Sequence, residues 1–181
     1  MKAVCVTPEN WVELRKLPMP KKADPGHLII KMEKCAINPG DKVFINGGFK
    51  PGSIPVSKHD IAGVSGAGKV VAIGEGVSPE YEGKYVSVYR SLKFSDKLIG
   101  TWCEYAQVHQ HCCVILPSDV NLEEYAGSLV NVITPYAFVK QVTEEGHRGV
   151  LVTAGTSATG RAMLGVCLAL GVPTISIVRN A

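Results

Sequence analysis

Residues 149–178, GVLVTAGTSATGRAMLGVCLALGVPTISIV, constrain this chain more than any other stretch. The run GVLVTA is continuously apolar, as in strands buried on both faces of a parallel sheet. Parallel strands need a crossover, most often a helix, and GRAMLGVCLALG supplies an apolar helix closing at Gly171, before a second strand PTISIV. The expected unit is strand, glycine turn, helix, strand. Such a turn can cradle a phosphate, because N–H groups at the helix start face outward and the helix dipole favours an anion. Here the turn is Ala154, Gly155, Thr156, Ser157, Ala158, Thr159, Gly160. It departs from G-x-G-x-x-G by placing Ser and Ala where Gly would give the closest approach. On this reading Gly155, Ser157, Ala158, Thr159 and Gly160 bind the cofactor; on these residues alone, a structural turn without ligand has equal weight. The second strand ends in Val178, Arg179, Asn180, where an NAD site would carry an acidic residue. Arginine suits a 2′-phosphate, so Arg179 favours NADPH over NADH, against a reading of Arg179 as a solvent-facing strand end.

Upstream the pattern changes class. Residues 1–118 hold short β-branched runs separated by Gly, Pro, Asn and Asp, the mark of an all-β barrel. Residues 119–147 read as a helical connector, with Ser118 or Asp119, and Asn121, as candidate caps and Leu122, Tyr125, Ala126 and Leu129 at helical spacing. Residues 148–181 carry the partial nucleotide-binding unit. The fold class is therefore α/β overall, a β barrel followed by the first βαβ unit of a dinucleotide-binding fold.

Composition narrows the function classes. With 46% hydrophobic and 19% charged residues, the chain is neither disordered nor a coiled coil. Its net charge of +3 is spread rather than clustered, which implies no nucleic-acid surface. No uninterrupted apolar run reaches the roughly 18–20 residues of a membrane span. The N-terminus alternates like a strand and lacks a leader pattern, so a cytoplasmic location is expected, with a mitochondrial one after leader removal as the alternative. Cysteines 5, 35, 103, 112, 113 and 167 form no CxxC pair and read as reduced, mostly buried thiols. HQHCC at 109–113 looks like a metal cluster. As an extended strand, however, it puts His109, His111 and Cys113 on one face and Cys112 on the other, which favours a structural role.

Four segments, AINPGD at 36–41, HDIAGVSGAGKVVAIGEGV at 59–77, PSDVNLEEYAGSLVNVITPYAFV at 117–139 and the βαβ unit, resemble the medium-chain dehydrogenase/reductase superfamily. That resemblance implies a GroES-like β domain preceding a Rossmann domain. In the zinc branch, the catalytic ligands would fall at Asn38, at His59 and near Val130 or Asn131, so one of three survives and no metal is expected. The four-cysteine zinc lobe has no counterpart between Tyr85 and Thr101. INPGD instead resembles the zinc-free quinone and enoyl reductases, in which NADPH supplies hydride to an electron-poor double bond. The resemblance makes Asn38 a polar contact in the substrate pocket and Thr134 a contact to nicotinamide; the competing reading of Asn38-Pro39 is a simple turn. LIGTW at 98–102, AGTSATG and TISIVRN resemble mitochondrial-type 2-enoyl thioester reductases. Their proton-donating tyrosine aligns with Phe49, and no tyrosine lies between Asp41 and Tyr81. A quinone or enone reductase is thus favoured over an enoyl thioester reductase. His59 and Asp60 are expected to be structural.

A Rossmann domain continues for several more βα units, which leaves three readings of this chain. It is a fragment of a longer reductase acting on a small molecule, a shortened non-catalytic subunit whose open sheet a partner covers, or one half of a homodimer whose copies complete each other. In an isolated chain the apolar faces of the two parallel strands would lack neighbours and be exposed.

Overall fold

The β-branched runs of the first two-thirds of the chain form seven strands: β1 (Lys2–Val6), β2 (Val12–Lys16), β3 (His27–Cys35), β4 (Ser65–Ile73), β5 (Tyr85–Tyr89), β6 (Tyr105–His109) and β7 (Cys113–Ile115). They are seen in a computed structural model that describes residues 1–7, 9, 11–45, 61–89 and 100–179. Two compact units result, Met1–Leu129 and Val130–Ala181.

In the first unit, β1 and β2 make an antiparallel hairpin, and the other strands make an antiparallel sheet in the order β6-β3-β4-β5-β7. Bridges Ala3↔Cys103 and Cys5↔Ile61 tie β1 to the rest. Leu28, Ile30, Val70, Val86, Val88, Ala106 and Val108 form the core. The glycines of SGAGKVVAIGEG have two uses. Gly76, at φ 78°, turns the chain. Gly68 allows close approach, since a Cβ there would lie 2.2 Å from the Lys31 carbonyl oxygen, beside the register shift between Met32 and Lys34.

CEYAQVHQHCCVIL is not one strand. A 3-10 turn over Gln110–Cys112 separates β6 from β7, so the expected alternation fails and Cys112 and Cys113 are both buried. The His111 N–H donates to Nδ1 of His109 (3.3 Å), and that side-chain bond closes the turn. All six cysteines are thiols rather than disulfide partners, five of them buried.

Helix α1 (Pro39–Ile45) follows β3, and α2 (Leu122–Tyr125) is capped by Asn121, whose side chain accepts the Glu123 N–H at 3.1 Å. Helix α3 (Ser128–Glu144) leads into the second unit. Its Pro135 offers no N–H to the Asn131 carbonyl one turn earlier. There β8 (Val150–Val152) pairs in parallel with β9 (Thr174–Ser176), joined by α4 (Ala158–Ala169). The C-terminal end of α4 is a Schellman motif: Val172 N–H bonds Cys167 O at 2.8 Å, Gly171 N–H bonds Leu168 O at 3.2 Å, and Gly171 has φ 67°.

Val139, Val152, Met163 and Cys167 form this unit's small core. The run suits strands of a buried parallel sheet, but as expected for a pair without further strands, Leu151 is 60% and Ile175 67% exposed: among the described residues neither strand has a neighbour beyond the other. No helix among the described residues is long and apolar enough to cross a membrane.

Candidate functional site

The end of β8 sets the geometry of the glycine turn. Ile177 N–H bonds Val152 O (2.8 Å) and Gly155 N–H bonds Ile177 O (3.2 Å), so the turn is laced to the segment after β9. Ala154 takes φ 52°, a left-handed conformation that costs a residue with a Cβ about 1–2 kcal/mol. Gly160 is required by close packing, since a Cβ there would lie 2.5 Å from the Ala154 carbonyl oxygen, whereas a Cβ at 155 would lie 1.7 Å from Ser176 Oγ and that side chain would have to turn away.

The first turn of α4 is left partly open. Ser157 caps it, its Oγ accepting the Gly160 N–H at 3.0 Å, while its carbonyl accepts the Arg161 N–H at 2.9 Å. No helical carbonyl reaches the N–H groups of Ala158 and Thr159. Ser157, Ala158 and Thr159 are exposed, so these donors and the positive end of the dipole meet solvent. The residues present therefore fit a dinucleotide's phosphates: small side chains, open N–H groups and no acidic residue in the turn. Arg179 is exposed in the bend after Val178, whose Cγ1 would lie 3.6 Å from a Cβ at 155, so the arginine leaves the strand at the same end as the cradle.

Thr134 lies exposed on α3. Asn131, one turn earlier on the same helix, reaches α4: Thr159 Oγ1 donates to Asn131 Oδ1 at 3.2 Å. In the sequence Asn131 stands out only as a zinc-branch ligand position. Its spacing of three from Thr134 was the signal that both lie on one helical face. A groove of about 500 Å³ runs along β8 from Ser157, Thr159 and Gly160 to Phe138 and Gln141 of α3.

In the first unit, INPGD begins α1. Asn38 N–H donates to Asp41 Oδ2 (2.6 Å), Asp41 N–H donates to Asn38 O (2.9 Å), and Pro39 occupies the first helical position. Asn38 Nδ2 donates to Ser65 Oγ at 3.1 Å, which fixes the half-buried side chain against β4. Ser65 O in turn accepts from Thr101 Oγ1 at 3.0 Å, and Ala36 O from Trp102 Nε1 at 3.1 Å. The turn reading of Asn38 is thus part of the structure, whatever else the residue contacts.

The thiols nearby are poor nucleophiles. Cys35 is exposed as a residue, but its Sγ turns inward to donate to Thr101 O (2.9 Å), and burial pushes it up to about 11. Burial, then the neighbouring Cys35, pushes Cys103 up to about 12, and burial raises Cys113 further still. The His109 ring lies 5.1 Å from that of His27 and 4.8 Å from that of His111. Burial first, and then these two neighbours, lower its pKa. Among the described residues no group of three or more His, Cys, Asp or Glu could hold a metal ion. Phe49, His59 and Asp60 lie outside the described residues.

A GroES-like β domain leading into the first βαβ unit of a Rossmann fold defines the medium-chain dehydrogenase/reductase class. Residues 24–118 match the alcohol dehydrogenase GroES-like domain, and the chain belongs to that family. It is 29% identical over 174 residues to a mitochondrial enoyl-acyl-carrier-protein reductase of Bos taurus, covering 96% of this chain and 44% of the bovine protein. A Mesorhizobium loti protein assigned as an NADPH:quinone reductase superimposes with a TM-score of 0.77 at 30% identity, over 99% of this chain and 53% of that one. A mycobacterial quinone oxidoreductase gives 0.78 at 25% identity, over 100% and 54%. This chain thus spans about half the length of these relatives.

Proposed function

We propose that this protein is a zinc-independent, NADPH-dependent oxidoreductase that delivers hydride to a quinone or another α,β-unsaturated carbonyl compound. The observation carrying the proposal is the first turn of α4: open N–H groups on Ala158 and Thr159, packed on the preceding turn where Gly160 has no room for a Cβ. That turn belongs to a chain 30% identical to a protein assigned as an NADPH:quinone reductase. The cofactor, when bound, supplies the hydride. In this reading residues 155 and 157–160 hold its pyrophosphate, Arg179 pairs with the 2′-phosphate and Thr134 contacts the nicotinamide. Asn38, already fixed by Ser65, offers its remaining amide N–H and its carbonyl oxygen to substrate. Such positioning, rather than a nucleophile, is what hydride transfer asks of a protein, and the raised thiols are consistent with that. We assign 1–118 to the GroES-like part, 119–147 to the connector and 148–181 to the nucleotide-binding part, and place the protein in the cytoplasm.

The bovine relative's name favours a second reading, reduction of a trans-2-enoyl thioester, together with a mitochondrial location. The sequence opposes it by placing Phe49 where that branch has its proton donor. Titration with NADPH, followed by its fluorescence, tests the cofactor. Loss of absorbance at 340 nm with a quinone, an enone or an enoyl thioester then separates the substrates. Tighter binding of NADH than of NADPH would remove the role given to Arg179. A well-folded protein that binds neither nucleotide would leave the binding or structural subunit, with a partner or second copy over β8 and β9, as the better account.

A further inference from the structure

We propose that His109 is an acid-sensitive latch on the 3-10 turn that joins β6 to β7, holding the turn shut as a neutral imidazole and releasing it when the ring takes up a proton. His109 is the N-cap of that turn, and its Nδ1 accepts the His111 N–H at 3.3 Å. A neutral imidazole has one acceptor nitrogen and one donor, whereas the imidazolium has two donors and no acceptor. With Nδ1 accepting, the proton of neutral His109 sits on Nε2. A second proton can go only to Nδ1, the atom that closes the turn. The usual caps Ser, Thr and Asn accept at any pH, but a histidine cap is conditional.

What the turn packs against also disfavours the charged ring. Gln110 N–H donates to Gly26 O at 3.0 Å, and a Cβ at Gly26 would lie 2.9 Å from His109 Nε2. The His27 ring stands at 86° to that of His109, with centroids 5.1 Å apart. His27 Nδ1 lies 2.8 Å from Pro25 O, which can only accept, so Nδ1 carries the His27 proton. That leaves His27 Nε2 as a bare lone pair, buried and with no hydrogen-bond partner among the described residues. The titratable groups of the elements packed here are His27 of β3, His111 of the turn itself, Cys113 of β7, whose thiol donates to His109 O at 3.8 Å, and Tyr81, whose hydroxyl donates to Gln110 O at 3.5 Å. Asp24 and Glu75 flank the Gly26 loop; the Asp24 carboxylate accepts from Gln107 Nε2 at 3.0 Å, and the Glu75 carbonyl accepts the Gly26 N–H at 2.8 Å. Burial, and then His27 and His111, oppose a charge on His109. The closed turn therefore resists the proton, while the open turn presents an ordinary imidazole that titrates near pH 6.5. Closure is complete above about pH 6.5 and weakens as pH falls below it.

Protection of the His111 amide against hydrogen exchange, followed by NMR on the 181-residue chain and corrected for the intrinsic pH dependence of exchange, tests the latch. Between pH 8 and pH 5.5 the protection should fall roughly threefold to tenfold, the upper figure being the protonated excess of an open imidazole about one unit below its ordinary pKa. His109→Asn supplies a side-chain carbonyl that accepts the same N–H at any pH, so its His111 protection should change less than about twofold over that range. His109→Ala should be poorly protected at both values. In the parent, His111 should be protected far less than Val70 of β4, whose N–H bonds Lys84 O at 2.9 Å, because the turn opens without the barrel. A parent whose His111 protection does not respond to acid overturns the proposal, and so does an equal acid loss in His109→Asn. His111 protection in His109→Ala that matches the parent at pH 8 shows that the ring does not hold the turn. Equal protection of His111 and Val70 means that turn and barrel open together, which also overturns it.

Discussion

Two glycines of α4 should respond to the same substitution with opposite signs. At Gly160 an added Cβ would meet the Ala154 carbonyl oxygen at 2.5 Å, Gly155 Cα at 2.8 Å and the Gly155 carbonyl carbon at 3.0 Å. All three are backbone atoms of the turn, so none can swing aside as a side-chain tip would. Relief requires the start of α4 to move off the turn, which also strains the bond from Gly160 N–H to Ser157 Oγ. Overpacking of this kind costs about 2–3 kcal/mol, against about 1 kcal/mol gained in helix propensity, for a net loss of about 1–2 kcal/mol. Gly165 has nothing within 4 Å of its Cβ position and is exposed, so Gly165→Ala keeps the gain of about 1 kcal/mol. The assay is urea unfolding followed by amide NMR signals of α4. With a slope of about 2 kcal/mol per molar, the midpoint should fall by about 0.5–1 M for Gly160→Ala and rise by about 0.5 M for Gly165→Ala. A Gly160→Ala protein as stable as the parent would refute the argument that this glycine exists for close helix-to-turn packing.

Ala154→Gly should stabilise the second unit by about 1 kcal/mol, because glycine occupies φ 52° without the Cβ penalty; a lower unfolding midpoint would contradict this. His109 is held below the usual imidazole range by burial and by His27 and His111, so the unfolded chain takes up the proton more readily. Stability should therefore be full above about pH 6.5 and fall as pH drops from there toward the lower folded value. Urea midpoints at pH 8 and pH 5.5 measure the loss, and His109→Gln should reduce it. Cys35, raised from 9.0 to about 11, should carry about a hundredfold less thiolate at pH 7 than an unperturbed thiol and react correspondingly slowly. Rapid labelling of Cys35 by a thiol reagent in the folded protein would show that its Sγ is not held against Thr101 O.

The order of elements was legible in the sequence because it rests on local physics. Continuous apolar runs bounded by Gly and Pro specified β8, α4 and β9, and β-branched runs between turn residues specified β1, β3, β4, β5 and β6, whereas the N-terminal stretch, which alternates like a strand, folds as the β1–β2 hairpin. Asn121 and Gly171 work as helix ends because capping is settled within a few residues. HQHCC was misread for a reason of the same scale. Period-two alternation cannot foresee that a His109 side chain will accept the His111 N–H and turn the strand.

Tertiary structure alone decided what the candidate site residues touch. The sequence offered Asn38 as either a turn or a pocket residue, and the fold shows its amide already bonded to Ser65, 27 residues away. It offered Gly155 and Gly160 as cradle residues, and the fold shows that backbone atoms of Ala154 and Gly155 forbid a Cβ at 160, while a Cβ at 155 would meet the Ser176 side chain of the next strand. The hydrogen bond from Thr159 to Asn131 has no local signature, because 28 residues separate them and only the packing of α3 on α4 brings them within 3.2 Å. Exposure of Leu151 and Ile175 is likewise a property of the sheet, set by whether a strand has neighbours. Local sequence fixes backbone preference and capping, whereas hydrogen bonds between distant side chains and the room for a methyl group exist only once the elements have packed.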